Sequence, residues 1–272
     1  MIPIAMDNNG PDMDTVEELV AEDDTIKGIW CVPKYSNPTG ITYGDTVVDR
    51  LAGMRTKAKD FRIFWDNAYA CHHLTDTPVR LKNLLASCKE AGHPERAFIF
   101  GSTSKISFAG AGVAMMAASR KNIDFLLSKL KFQTIGPNKL NQLRHVLFFK
   151  DLDGLTAHMR KHAAILKPKF DAVQQVLDAE LTGKNIATWS RPQGGYFVSI
   201  DTMDSCAGAV VEMAAAAGVK LTPAGATFPY GRDPRDRNIR IAPSYPSAAD
   251  VRTAMEVVVI CIQLVSIEKL SS

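Results

Sequence analysis

Arg96-Ala97-Phe98-Ile99-Phe100-Gly101-Ser102-Thr103-Ser104-Lys105 is the stretch on which the reading of the fold turns. Its first five residues form a short apolar run of the kind that makes a buried strand. The next five deliver a lysine among small hydroxyl residues at the end of that strand. A lysine amine condenses with an aldehyde only in its neutral form, and burial or neighbouring cations lower its pKa enough to allow this. Lys105 is therefore a candidate for covalent chemistry, expected in a buried or cation-flanked setting. Ser-x-x-Lys alone also fits a serine acylase, but the Ser-Asx-Asn and Lys-Thr-Gly segments of that chemistry are absent.

Two further segments lie upstream, in order. Asn37-Pro38-Thr39-Gly40 is by itself an ordinary turn, because proline fixes φ and glycine tolerates positive φ. Asp66-Asn67-Ala68-Tyr69 follows the apolar run Phe61-Arg62-Ile63-Phe64-Trp65, and an aspartate there is by itself most often a helix cap. Ligands in open α/β sheets gather at the carboxyl ends of strands, where both Asp66 and Lys105 are expected. The ordered combination is far more specific than its parts.

Together the three segments resemble the pyridoxal-phosphate site of a fold-type I aminotransferase. The resemblance runs over nearly the whole chain and is strongest to a bacterial aspartate aminotransferase subgroup near the alanine–glyoxylate aminotransferase type. It is carried by residues Lys27 to Gly40 (KGIWCVPKYSNPTG), Ile135-Gly136-Pro137-Asn138-Lys139 and Asn141-Gln142-Leu143-Arg144-His145. Pro192-Gln193-Gly194-Gly195-Tyr196-Phe197 and Asn238-Ile239-Arg240-Ile241-Ala242-Pro243 extend it. The fold implied is α/β: the aspartate aminotransferase-like pyridoxal-phosphate-dependent transferase fold, with an incomplete, mostly parallel large domain and a small C-terminal α+β domain.

The resemblance also implies roles. Lys105 would hold the cofactor and move the proton. Asp66 would keep the pyridine nitrogen protonated, so that the ring accepts electrons. Asn37 and Tyr69 would hydrogen-bond the ring oxygen, Ser102 and Ser104 would contact the phosphate, Arg240 would take the substrate α-carboxylate, and Asn37 would also bind substrate. A guanidinium fork meets a carboxylate with two parallel hydrogen bonds. Substrates would be an amino acid, aspartate or glutamate, and a 2-oxo acid. Lys139 and Arg144 are candidates for a second carboxylate, although in the wider family that cation often comes from the partner subunit of a homodimer.

Two departures stand out. Relatives often carry an arginine about eight residues after the lysine to hold the phosphate, whereas Ile106 to Val113 contains none, so backbone N–H groups and hydroxyls are expected there instead. Gly110-Ala111-Gly112 precedes a strand-like run, unlike a dinucleotide fingerprint, which opens a helix. The family usually exceeds 400 residues, and this sequence of 272 begins at a point matching deep inside the large domain. A catalytically incompetent fragment needing an N-terminal segment is therefore one alternative. A carbon–sulfur lyase on the same fold is another, and the effector domain of a pyridoxal-type regulator is a weaker third.

A net charge of +3 gives no reason to expect nucleic acid, and no run approaches the roughly 20 apolar residues of a membrane span. The N-terminus lacks the features of a signal peptide. The five widely spaced cysteines fit reduced thiols in the cytoplasm. His72-His73 and His158/His162 invite a metal reading, but no acidic or cysteine ligand accompanies them at a usual spacing, and a solvated helix face is expected for the second pair.

Strands are expected at Gly28–Val32, Arg62–Trp65, Ala97–Phe100 and Val113–Ala117, with helices at Val47–Lys59, Leu81–Ala91 and Ile123–Lys131. Arg55-Thr56-Lys57-Ala58-Lys59 is expected on a solvated helix face. A long helix from Leu152 to Leu181 should kink or restart at Pro168. Beyond it, strands are expected at Thr188–Ser190, Gly195–Ile200 and Ile239–Ala242, and helices at Cys206–Ala217 and Ala248–Lys269. Residues 1–150 would belong to the large domain, 151–181 to a bridging helix and 182–272 to the small domain.

Overall fold

The computed structural model describes residues 1–271 and is α/β. A small hairpin of β1 (Met6–Asp7) and β2 (Gly10–Pro11) leads into α1 (Met13–Glu22), whose first turn Asp12 caps by accepting from the N–H groups of Asp14 and Thr15. Then come β3 (Gly28–Cys31), α2 (Asp45–Gly53), β4 (Arg62–Asp66), α3 (Leu84–Glu90), β5 (Ala97–Ser102) and β6 (Ala114–Ala118). The first sheet has the order β3-β4-β5-β6, with two parallel pairings and an antiparallel last strand. One face of it packs on α1, α2 and α3 through Val16, Val48, Leu51, Ile63, Trp65 and Leu84, all buried. The opposite face carries Trp30, Phe64 and Phe100. Trp30 and Phe64 stack at 5.8 Å between centroids and Phe64 and Phe100 at 6.3 Å, while Trp30 remains 64% exposed.

The chain continues through α4 (Arg120–Gln133), α5 (Lys139–Phe149) and the 30-residue α6 (Leu152–Leu181). A second sheet, β7 (Ala187–Trp189), β8 (Val198–Thr202) and β9 (Asn238–Ile241), is wholly antiparallel. With α7 (Ala207–Ala216) and α8 (Ala248–Ser271) it closes a second core, where Phe170, Val173 and Leu177 of α6 meet Val198 and Ile200 of β8 and Val258 and Ile262 of α8.

Several expectations need correction. α2 stops at Gly53 rather than Lys59, because glycine is a poor helix former and Met54 is already extended at ψ 144°. Residues 55–59 therefore form no helix face; the Lys57 N–H instead bonds the Val20 carbonyl at 2.8 Å. α5 was not expected; its stripe of Leu140, Leu143 and Leu147 is exposed, and the Asn138 side chain caps it. α6 runs through Pro168 without restarting. Its buried stripe of Leu166, Phe170, Val173 and Leu177 continues across the proline, so packing outweighs the lost hydrogen bond. The expected strand at Gly195 begins only at Val198, because Gly194 and Gly195 are occupied in a junction with the first half.

Candidate active site

The two halves meet at the ends of the strands. The Leu74 N–H donates to the Gln193 carbonyl at 2.9 Å and the Gly195 N–H to the His72 carbonyl at 2.8 Å. Only glycine fits at 194: a Cβ there would lie 2.3 Å from the His72 carbonyl oxygen and 2.4 Å from the Tyr35 ring. This close approach sets Tyr196 and Phe197 against residues of the first half.

Asp66 is the last residue of β4, in register with Phe100 of β5, so its carboxylate sits at a strand's carboxyl end as expected. The next turn places Tyr69, which is buried. Burial raises the Tyr69 phenol to about 12; the Asp66 charge pushes the same way and the Arg240 charge opposes it. Both charges therefore act on one phenol. Lys105, three residues beyond β5, holds its Nζ 5.0 Å from the centre of the Tyr69 ring. The expectation of a buried or cation-flanked amine is not met, because Lys105 is exposed and what its amine faces is an aromatic ring. Its backbone, in contrast, is fixed: its carbonyl accepts from His72 Nε2 at 3.1 Å and from the Tyr196 hydroxyl at 3.1 Å.

Arg240, on β9, reaches across the junction. Its Nη1 donates to Asn37 Oδ1 at 3.0 Å and its guanidinium lies 4.6 Å from the centre of the Phe197 ring. Its buried Nε has no hydrogen-bond partner within the protein. Asn37 thus faces Arg240 rather than the Tyr69 hydroxyl. The Ser102 and Ser104 hydroxyls meet each other at 2.7 Å, and the Ser104 N–H bonds Ser102 Oγ at 3.0 Å. Gly112 lets the following loop approach them, since a Cβ there would lie 2.5 Å from Ser104 Oγ. Gly110-Ala111-Gly112 indeed leads into strand β6 and opens no helix.

Lys139 and Arg144 are both exposed on α5, outside the contacts that gather the residues above. No group of three His, Cys, Asp or Glu that could hold a metal occurs among the described residues. His72 and His73 are spent on local bonds, the latter through Nδ1 to the Tyr35 hydroxyl at 2.8 Å. His158 and His162 share a face of α6 with rings 4.6 Å apart, but that face is not solvated as expected: His158 packs between Phe148 and Phe149. His72, Tyr196 and Phe197 were missed as site residues. The Gly194-Gly195 pair beside the last two was the only local signal for them.

The donor set suits pyridoxal phosphate: a carboxylate at one strand end, an amine beyond the next, a phenol whose ring faces that amine, two hydroxyls on one turn, and a guanidinium with an unpartnered buried nitrogen. Among the described residues no helix is long and apolar enough to cross a membrane.

A family model described as aspartate amino-transferase matches residues 1–272. A protein of Mycolicibacterium smegmatis that carries an aminotransferase name is 49% identical over 269 residues, 99% of this chain and 63% of its own length. An aspartate transaminase of Corynebacterium glutamicum, solved by crystallography, is 45% identical with a TM-score of 0.96, over 99% of this chain and 63% of that one. The α-aminoadipate aminotransferase LysN of Thermus thermophilus, complexed with N-(5'-phosphopyridoxyl)-L-leucine, shares the fold at 21% identity and a TM-score of 0.81, over 97% of this chain and 65% of that one. The chain therefore spans less than two thirds of the length of these proteins.

Proposed function

The chain belongs to the aspartate amino-transferase family, and on that premise we propose that it moves an amino group between an amino acid and a 2-oxo acid with pyridoxal phosphate. The observation that carries the reading is Lys105 Nζ 5.0 Å from the centre of the Tyr69 ring, on whose phenol the Asp66 and Arg240 charges both act. When bound, pyridoxal phosphate supplies an aldehyde that exchanges amines and a ring that withdraws electrons from the substrate Cα. Lys105 Nζ binds it and carries the proton to and from the substrate Cα. The Asp66 carboxylate would hold a proton on the ring nitrogen. The Tyr69 hydroxyl and the Asn37 amide orient the ring oxygen, and the Ser102 and Ser104 hydroxyls with the Ser104 N–H take the phosphate. Arg240 binds the substrate α-carboxylate.

Aspartate or glutamate is the substrate in this reading, supported by the name of the Corynebacterium glutamicum transaminase. Residues 1–150 are its large-domain portion, 151–181 the bridging helix and 182–272 the small domain. The working form is a cytoplasmic homodimer, in keeping with five free thiols. The test is a visible absorption spectrum of the protein with added pyridoxal phosphate. A visible band that is absent in Lys105→Ala, and that aspartate shifts toward the pyridoxamine form, supports it. Release of pyruvate and ammonia instead would make the protein a carbon–sulfur lyase.

A second reading has its own support. Lys105 and Trp30 are exposed, and the chain spans 63% of its Mycolicibacterium smegmatis relative. In this reading the site works only with a polypeptide equivalent to the unmatched part of that relative. A visible band that forms only when that part is supplied in trans would favour it.

A further inference from the structure

Three of the six histidines of this chain grip the turn that carries Lys105. His72 Nε2 donates to the Lys105 carbonyl at 3.1 Å and His158 Nε2 donates to the Ile106 carbonyl at 2.9 Å. His145, on α5, acts on side chains. Its Nδ1 faces the Asn141 carbonyl at 2.8 Å, and a carbonyl only accepts, so Nδ1 carries the proton. In the neutral ring Nε2 is then left as an acceptor. It lies 2.9 Å from Thr103 Oγ1 and 2.7 Å from Ser107 Oγ, the residues that bracket Lys105 on either side.

The hydroxyl protons can be assigned consistently. Thr103 Oγ1 already accepts from the Val113 N–H at 2.8 Å, which leaves its own proton for His145 Nε2. Ser107 Oγ lies 3.1 Å from the Thr103 carbonyl, a second acceptor for its proton when Thr103 holds the imidazole. The Ile106 and Ser107 N–H groups both donate to that same carbonyl, at 2.9 and 2.8 Å. One imidazole thus closes the turn from Thr103 to Ser107 and, through Val113, the loop that returns to β6.

The geometry points to His145 as a positioning residue for Lys105. It touches neither the amine nor the ring facing it, and acts through Thr103 and Ser107 to aim the turn from which the amine projects. This inference rests on the pyridoxal-phosphate reading for what the amine does, but the turn closure is independent of it.

The test compares wild type with His145→Phe, which keeps a flat ring but has no acceptor, and His145→Gln, which restores one. Each protein is mixed briefly with pyridoxal 5'-phosphate and quenched with borohydride. The lysine nitrogen adds to the aldehyde carbon, water leaves, and hydride from borohydride reduces the resulting C=N bond to a stable secondary amine that mass spectrometry locates. The amide exchange rate of Val113 is read in parallel. Trapping at Lys105 should slow about 10-fold in His145→Phe and Val113 exchange should quicken, with both mostly recovered in His145→Gln. Unchanged trapping and exchange in His145→Phe, or a His145→Gln protein no better than it, overturns the inference. Ser107→Ala covers the case in which His145→Phe does not fold; it should slow trapping about 3-fold, and an unchanged rate counts against the clamp. If wild-type Lys105 is trapped no faster than the other lysines, the cofactor reading fails, while Val113 exchange still decides the role of His145.

Discussion

Gly194 is a residue whose replacement the structure tolerates poorly. A Cβ there would press on the His72 carbonyl at 2.3 Å, and backbone cannot yield as a flexible side chain does. Gly194→Ala should cost about 3 kcal/mol, read as a lowered urea midpoint, and should loosen Lys105 because the His72 that holds it is displaced. A second prediction concerns His73, which burial, and then the nearby Lys34 and His72 charges, push down to about 4. The unfolded chain takes a proton as pH falls through 6.5, and the folded one does so only near 4. Stability is therefore full above pH 6.5 and declines from there toward 4. His72 and His162 shift the same way. His73→Gln should flatten this slope by about 1 kcal/mol between pH 7 and 5, measured by urea unfolding at both values. At this scale Asn37, Asp66, Tyr69, Lys105 and Arg240 could be read from sequence, because they stand in short local motifs. His72, His145 and Tyr196 could not, because each works through a backbone carbonyl or a hydroxyl far away in the chain.

The elements that were legible are the short apolar strands: β3, β4 and β5 each lie within a residue or two of their expected bounds. In β4 buried and half-buried residues alternate, because successive side chains point to opposite faces. α5 was illegible for the opposite reason. Leu140, Leu143, Val146 and Leu147 share one side of it and are all exposed, so its apolar stripe marks no buried face. α6 was misread only at Pro168, where a local rule met a stronger tertiary one. That proline is exposed and leaves the Ala164 carbonyl without its helical N–H donor. Pro168→Ala should therefore stabilise the protein by about 2 kcal/mol, the helical gain less the unfolded-state entropy that proline removes. The rise in thermal midpoint measures it.

Over the whole molecule, the sequence pattern conveyed an α/β first half and a change of character after residue 186. It could not convey that one face of the first sheet would be left open, since Trp30 and Phe64 read as ordinary strand residues. Parallel sheets are normally covered on both faces. Acrylamide should accordingly quench Trp30 strongly in this chain, and much less once the unmatched part of the Mycolicibacterium smegmatis relative is bound. Equal quenching with and without that part would show the face to be naturally wet. The bond from Arg240 to Asn37 spans 203 residues and joins the two halves of the chain. An incoming anion at that guanidinium finds it already extended over Phe197, so little torsional freedom remains to be frozen out on capture. Because the amide it would displace belongs to the opposite half, an anion taking that place would also release a bond between the two halves.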